Sequence, residues 1–447
     1  MNIIRLLAIL LFCGAVAAVI IGADRLAKSL RGGGRLNNHV RGSQVQNAAS
    51  SKSAAGLQIL IGPVPVPPQA ETTHTMIAGA TGSGKSLAIN RIFSTVMQRG
   101  QPAVVVDPGG GLLERFYNPA RGDVILNPLD SRAHVWDLFG EIEGPWDCPR
   151  LAASLCPSGG GDSNKEWSGY AQSLLTALFS RMAGGDVHEL VRLATAADAQ
   201  ELAAFVQGKP AAALTAKGAD KMLASVRAIL GSRLAPWEFM PSDRQKFSFR
   251  QWLQAPRGVV WLPSRADQRS LLAPLYGSMC GAFSTGLLSC TEDLSRRVWM
   301  FLDEAPSLGP IEGLERLLAE GRKFGASCVL GFQDVSQIRT VYGREGAQTL
   351  ASVMRTKLLL AQEDPESADY YSKMLGQAEI VRPQQSVNDS GSSVTYQHTT
   401  QQVVLPSELM GLAVGVGYLK VAGDPVIKKV RILIPDLPQK QHPAFVR

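Results

Sequence analysis

The sequence is poor in the residues that build metal and disulfide sites. Its six cysteines include no C-x-x-C pair, and no histidine stands at zinc-ligand spacing. That excludes a zinc site of this kind and leaves Cys13, Cys148, Cys156, Cys280, Cys290 and Cys328 as reduced packing residues. The histidines, at positions 39, 74, 134, 188, 398 and 442, are too dispersed for a metal site or a catalytic triad. No helix-turn-helix or zinc-type DNA-reading motif stands out. Charged residues make up 19% against 45% hydrophobic, a balance that can fill a core and excludes a fibrous or disordered chain. Neither sign of charge dominates: Lys plus Arg number 45 and Asp plus Glu 38, a weak pointer toward polyanions such as nucleic acid or anionic lipid heads.

Long apolar runs are also scarce, with one exception. From Leu6 to Ala23 the chain carries no charge, and at helical rise that run spans roughly 27 Å, enough to cross a bilayer's hydrocarbon core. A membrane anchor is the expectation. A cleaved signal peptide is the rival, with Arg5 as its basic start and Ala17-Ala18 as a cleavage site, but the run is longer than most signal cores. Arg25, Lys28, Arg31, Arg35, Arg41 and Lys52 face one acid, Asp24, before Glu71, and only Arg5 precedes the span. The positive-inside rule then keeps the large C-terminal part in the cytoplasm, where ATP is found.

Gly32 to Gly34 and the Ser/Ala/Gln stretch from Ser43 to Gly56 have linker composition. Beyond them, short apolar runs at Thr75 to Gly79, Ala103 to Asp107, Val124 to Leu126, Val259 to Leu262, Val298 to Asp303, Cys328 to Phe332 and Lys357 to Ala361 alternate with helical stretches. This is the pattern of an α/β fold with a parallel-rich sheet. Between Trp146 and about Trp237 the pattern turns to Ala/Leu-rich helical segments with no convincing strand. The expected organisation is an anchor over residues 1–30, a flexible basic linker over 31–56, and a nucleotide-binding domain in two parts, 57–145 and 241–447, interrupted by an all-α insertion over 146–240. The polar tract from Gln384 to Gln402 reads as an exposed loop or hairpin.

Gly79-Ala80-Thr81-Gly82-Ser83-Gly84-Lys85-Ser86 matches G-x-x-x-x-G-K-[ST] in full, after a predicted strand and before a predicted helix. Such glycines let successive N–H groups and the helix N-terminus surround phosphates, while Lys85 bridges the β and γ phosphates and Ser86 ligates Mg²⁺. Val298 to Leu302 followed by Asp303-Glu304 is an apolar strand ending in two carboxylates. Asp303 suits the Mg²⁺ shell, and Glu304 suits the role of base toward the attacking water; a strand running into a helix N-cap is the bland alternative. Gln333 follows the next strand, a position from which a Gln could contact a γ-phosphate or its water, although a lone Gln is by itself unremarkable. Arg322, in a basic helix end, is open to two readings: an ordinary cation at the negative helix pole, or an arginine finger.

Taken together, GATGSGKS, VWMFLDEAPSL, LLAEGRKFGASCVLGFQDVSQIRTVYG and, less specifically, NPLDSRAHVWDLFGEI resemble the type IV coupling protein family, the TraD, TrwB and TraG group. The likeness runs from about Gly56 to Pro435 and is weakest in the helical insertion. It implies a RecA-like P-loop core that binds ATP and Mg²⁺ and assembles as a ring, expected to be a homo-hexamer. Such a ring would pass single- or double-stranded DNA without regard to sequence, from a relaxase complex to a type IV secretion channel at the bacterial inner membrane. It also implies Arg322 as a finger acting on the neighbouring subunit and Gln333 as the γ-phosphate sensor. Two departures stand out: one membrane span is visible where many members have two, and no long acidic C-terminal tail is present. Two other readings keep the nucleotide site: a motor that recruits protein effectors, and a membrane docking scaffold that hydrolyses little ATP.

Overall fold

The computed structural model describes residues 39–48, 57–158, 162–182, 184–388 and 391–447. The expected anchor lies outside them. Two compact units emerge, a small one formed by residues 39–42 with 377–402 and a large one holding 43–376 with 403–447.

In chain order the main strands are β1 (His39–Gly42), β2 (Gln44–Asn47), β3 (Thr75–Ala78), β4 (Ala103–Pro108), β5 (Val124–Ile125), β6 (Val259–Ser264), β7 (Val298–Leu302), β8 (Ala326–Phe332) and β9 (Thr356–Leu359). They continue with β10 (Gln377–Asn388), β11 (Gly391–Gln402), β12 (Val416–Lys420) and β13 (Val426–Arg431). The large unit is built on a ten-stranded sheet in the order β2-β13-β12-β9-β3-β8-β7-β4-β6-β5. From β9 to β5 every neighbouring pair is parallel, and β12 alone runs against the rest. All seven apolar runs expected to be strands are strands of this sheet.

Those central strands are buried on both faces, which is why they read as continuous apolar runs. Their side chains divide strictly by alternation. Met76, Val104, Val106, Met300, Leu302 and Leu330 point to one face, and Ile77, Val105, Trp299, Phe301 and Val329 to the other. The second face is covered by helix α1 (Lys85–Gln98). Its Phe93, fully buried, meets Phe116 and Phe301 edge-on at 5.2 Å and Trp261 at 5.6 Å.

The first face receives helices α2 (Asp147–Leu155), α3 (Asp162–Arg181), α4 (Val187–Thr195), α5 (Ala199–Val206) and α6 (Asp220–Leu234), together with α7 (Arg269–Leu288). No strand occurs among the described residues between Asp147 and Phe239. These helices share one continuous apolar core with the sheet, and they are not a separate compact unit. Residues 266–288 are apolar and long enough to cross a membrane, but 67% of their 18-residue apolar window is buried, and the segment contains the core helix α7. Helices α8 (Leu314–Glu320), α9 (Val335–Val353) and α10 (Pro365–Leu375) follow in the second half of the chain.

One expectation is corrected here. Residues 39–47, assigned to a flexible linker, form two paired strands: β2 adds to the sheet beside β13, and β1 pairs antiparallel with β10. An edge strand is held by its backbone ladder, so the polar composition that suggests a linker does not prevent pairing. The polar tract is a hairpin, with β10 and β11 in antiparallel register from Gln377 opposite Gln402 to Asn388 opposite Gly391. In that small unit Glu379 accepts from Arg41 at 2.5 Å and contacts His398 Nδ1 at 2.8 Å.

Truncating Phe93 to Ala removes a ring from the α1 side of the core and should cost about 3–5 kcal/mol of stability. The exposed Leu294→Ala should shift it by less than about 0.5 kcal/mol. Denaturant titration measures both, and equal midpoints for the two variants would contradict the assigned core.

Candidate functional site

At the carboxyl edge of the sheet, β3 gives way to a loop that wraps from Gly79 to Gly84 before α1 begins. Gly82 and Gly84 hold φ of 76° and 108°, left-handed values that side chains disfavour. Gly79 is required for space: a Cβ there would lie 2.5 Å from Ser83 Oγ and 2.8 Å from Leu360 Cβ. The loop's entry is pinned by Gly79 N donating to the Phe332 carbonyl and Ala80 N to the Ala361 carbonyl. Lys85 folds back over it, its ammonium donating to the Gly79 and Ala80 carbonyls at 2.6 and 3.0 Å. Burial lowers the Lys85 pKa, opposed by the nearby carboxylates of Asp303 and Glu304.

From β7 the chain delivers Asp303, whose Oδ2 accepts the Ser86 hydroxyl at 2.7 Å. Its other oxygen, Oδ1, is buried with no hydrogen-bond partner among the described residues. An ionised oxygen left bare in this way costs free energy unless a cation or its water fills the place. A hydroxyl and a carboxylate, both hard oxygen ligands, make a donor set that suits Mg²⁺. Between β3 and β7 lies β8, and the crossing is close: a Cβ on Gly331 would run into the Asp303 carbonyl.

Lys85, Ser86, Asp303, Glu304 and Gln333 line one cavity of about 490 Å³, together with Thr81, Gly82 and Gly84. Arg322 is not among them. It lies in the turn Gly321–Phe324 after α8, exposed and with no ion pair among the described residues. Four residues of the cavity wall lie outside the sequence motifs: Leu87 in the first turn of α1, Pro108 at the end of β4, Arg269 at the start of α7 and Val414. The available signal was topological, since β4 and β6 end at the same sheet edge as the phosphate loop, where ligands of parallel sheets bind.

Beside the wall, Asp107 is buried at the end of β4, with Oδ2 accepting from the backbone N–H groups of Leu112 at 3.0 Å and Leu113 at 2.8 Å. Burial raises its pKa to about 7 against those two hydrogen bonds, with the charge of Asp303 adding to the rise.

Comparison with known proteins adds a family and a set of relatives. The family of type IV secretion-system coupling protein DNA-binding domains matches residues 58–433. The coupling protein TraD of Escherichia coli K12 is 29% identical over 345 residues, covering 74% of this chain and 47% of TraD. The chain therefore spans about half the length of that relative. The type IV secretion system-coupling protein VirD4 of Bartonella quintana is 28% identical over 29% of this chain and 21% of its own length. Among solved structures, the bacterial conjugative coupling protein TrwBdeltaN70 in its unbound form aligns with a TM-score of 0.85 at 32% identity, covering 93% of this chain and 98% of that one. The plasmid coupling protein TrwB in complex with ADP and Mg²⁺ aligns at 0.82 and 33% identity, over 92% and 97%.

Two tests address this geometry. Gly331→Ala overpacks the β7–β8 crossing by about 1–3 kcal/mol and should weaken ADP binding by about tenfold in calorimetric titration; unchanged affinity in a folded variant would contradict the close approach. Asp107 titrates near 3.8 when unfolded and at about 7 when folded. Stability from its protonated form is thus complete below about pH 4 and lost as pH rises through about 7. Asp107→Asn should abolish that decline, so wild-type and variant melting curves should separate across this window and run parallel above it.

Proposed function

The chain belongs to the type IV secretion-system coupling proteins, and from that premise we propose that it is an ATPase that drives nucleic acid toward a secretion or conjugation channel. One observation carries the proposal: the Ser86 hydroxyl meets Asp303 at 2.7 Å beside a glycine-built phosphate loop, with the second Asp303 oxygen bare and buried. The relative TrwB, solved in complex with ADP and Mg²⁺, supports the same assignment here.

On this reading the N–H groups of Gly82 to Ser86 and the N-terminus of α1 receive the phosphates of ATP. Lys85 exchanges its two carbonyl partners for β- and γ-phosphate oxygens. Ser86 and Asp303 hold Mg²⁺, which when bound neutralises charge on those oxygens. Glu304 orients the attacking water and takes its proton as the water oxygen bonds to the γ-phosphorus and the bond to the departing ADP oxygen breaks. Gln333 contacts the γ-phosphate and reports its loss to α9. Arg322, displaced from its own cavity, completes the site of the next copy in a ring, proposed to be a hexamer. The N-terminal run anchors that ring in the bacterial inner membrane, where relaxase-bound DNA would be handed to the channel.

With the full chain in detergent, ATP turnover should rise when DNA is added. Glu304→Gln should lower kcat by about 10²–10⁴ while nucleotide still binds. Arg322→Ala should lower it at least about 10³-fold. Mixing the two inactive variants should restore turnover, because some interfaces then pair an intact Glu304 with an intact Arg322. Turnover indifferent to DNA would sink the cargo assignment, and a mixture as inactive as its parts would sink the finger in trans.

A further inference from the structure

A second cavity, of about 550 Å³, is formed by α9, α10 and the start of β9. Because β9 runs parallel to β3 and this cavity is lined by Lys357 near the N-terminal end of β9, it lies at the sheet edge opposite the nucleotide. Its charges do not balance. Arg339 on α9 pairs with Glu366 on α10, and Lys373 pairs with Asp369 at 2.5 Å. That leaves Arg344 of α9 and Lys357 of β9 on the same wall with no carboxylate partner among the described residues.

Lys357 makes the imbalance costly. It is only 8% exposed, and its ammonium donates to the Met354 carbonyl. Burial depresses its pKa to about 8, and the positive charges of Lys420 and Arg355 push the same way. A buried ammonium among like charges gains from an added anion beyond what the Met354 carbonyl supplies, and the two carboxylates on this wall are already engaged by Arg339 and Lys373.

We propose that this cavity is a phosphate site for the nucleic-acid backbone, with Arg344 and Lys357 contacting phosphodiester oxygens. The proposal rests on the nucleic-acid cargo proposed above. Phosphate suits the pair: the guanidinium presents a planar fork and the ammonium a compact point charge, and both are standard phosphate donors. Tyr370 already carries the Arg339 guanidinium over its ring at 5.4 Å. The wall therefore offers charge and little free aromatic face, as expected of a contact that ignores base identity. Helix α9 begins two residues after Gln333 and breaks helical geometry at Gly343, between Arg339 and Arg344. Two helical segments joined at Gly343 thus run from just beyond Gln333 to this cavity.

The test is fluorescence anisotropy of labelled single-stranded and duplex oligonucleotides on the full chain, from about 50 to about 200 mM salt. Arg344→Gln and Lys357→Met should each weaken binding about five- to tenfold. Each should also flatten the slope of log affinity against log salt by about 0.7 on single strands or about 0.9 on duplex, the loss of one phosphate contact. Lys357→Arg should retain most of the slope, and ADP affinity should not move. Arg344 is exposed, so its variant answers the question even where Lys357→Met fails to fold. Wild-type binding with unchanged slopes in Arg344→Gln and in a folded Lys357→Met would overturn the site alone. No binding by the wild type would overturn both the cargo and the site, and displacement of the oligonucleotide by poly-glutamate at matched ionic strength in the wild type but not in the variants would reassign the cavity to an acidic protein partner.

Discussion

The hydrogen bond from Ser86 to Asp303 joins the segments that follow two strands which are not neighbours. β3 carries the phosphate loop and β7 carries the acidic pair, and β8 stands between them in the sheet. The contact forms because all three strands are parallel and end at one edge, and because Gly331 lets β8 slip under the Asp303 backbone without a side chain in the way. Residues from three strand ends then converge: Lys85 and Ser86 after β3, Asp303 and Glu304 after β7, Gln333 after β8. The sheet's burial on both faces holds this register. Shifting β7 by one residue would exchange Trp299 and Phe301 with Met300 and Leu302 between two different cores, so packing polices the geometry of the site.

Much of this is legible in the amino-acid sequence, for physical reasons that differ from element to element. The phosphate loop declares itself because its backbone needs conformations and spaces that only glycine supplies at Gly79, Gly82 and Gly84. The seven consecutive parallel strands declare themselves as apolar runs, because six of them are covered on both faces and the edge strand β5 is still largely buried. β1 and β2 stay hidden because their pairing is a matter of backbone hydrogen bonds, and segments such as His39–Gly42 and Gln44–Asn47 carry no apolar signature. Pro108, Arg269 and Val414 stay hidden for another reason. They reach the cavity through where their strands and loops end, a fact of topology that no local motif encodes.

The placement of Arg322 outside its own cavity and the unbalanced cavity at the far edge bear on how chemistry would become movement. Work requires that occupancy at the phosphate loop be felt by whatever grips the load. Helix α9 is the natural conductor, since it starts beside Gln333, bends at Gly343 and carries Arg339 and Arg344 to the second cavity. Loss of the γ-phosphate at one end would bias the grip at the other through two helical segments joined at Gly343. The helical layer from α2 to α6 is welded to the sheet by a shared core, so motion at the sheet edge would carry that layer with it.

If nucleotide chemistry at Ser86 and Asp303 moves nucleic acid, the full chain should displace a protein block from one end of a DNA strand. Displacement should require ATP and Mg²⁺ and disappear in Lys85→Ala while DNA binding persists. Block displacement that proceeds equally with Lys85→Ala, or a wild type that hydrolyses ATP on DNA yet never clears the block, would contradict the coupling of this site to movement.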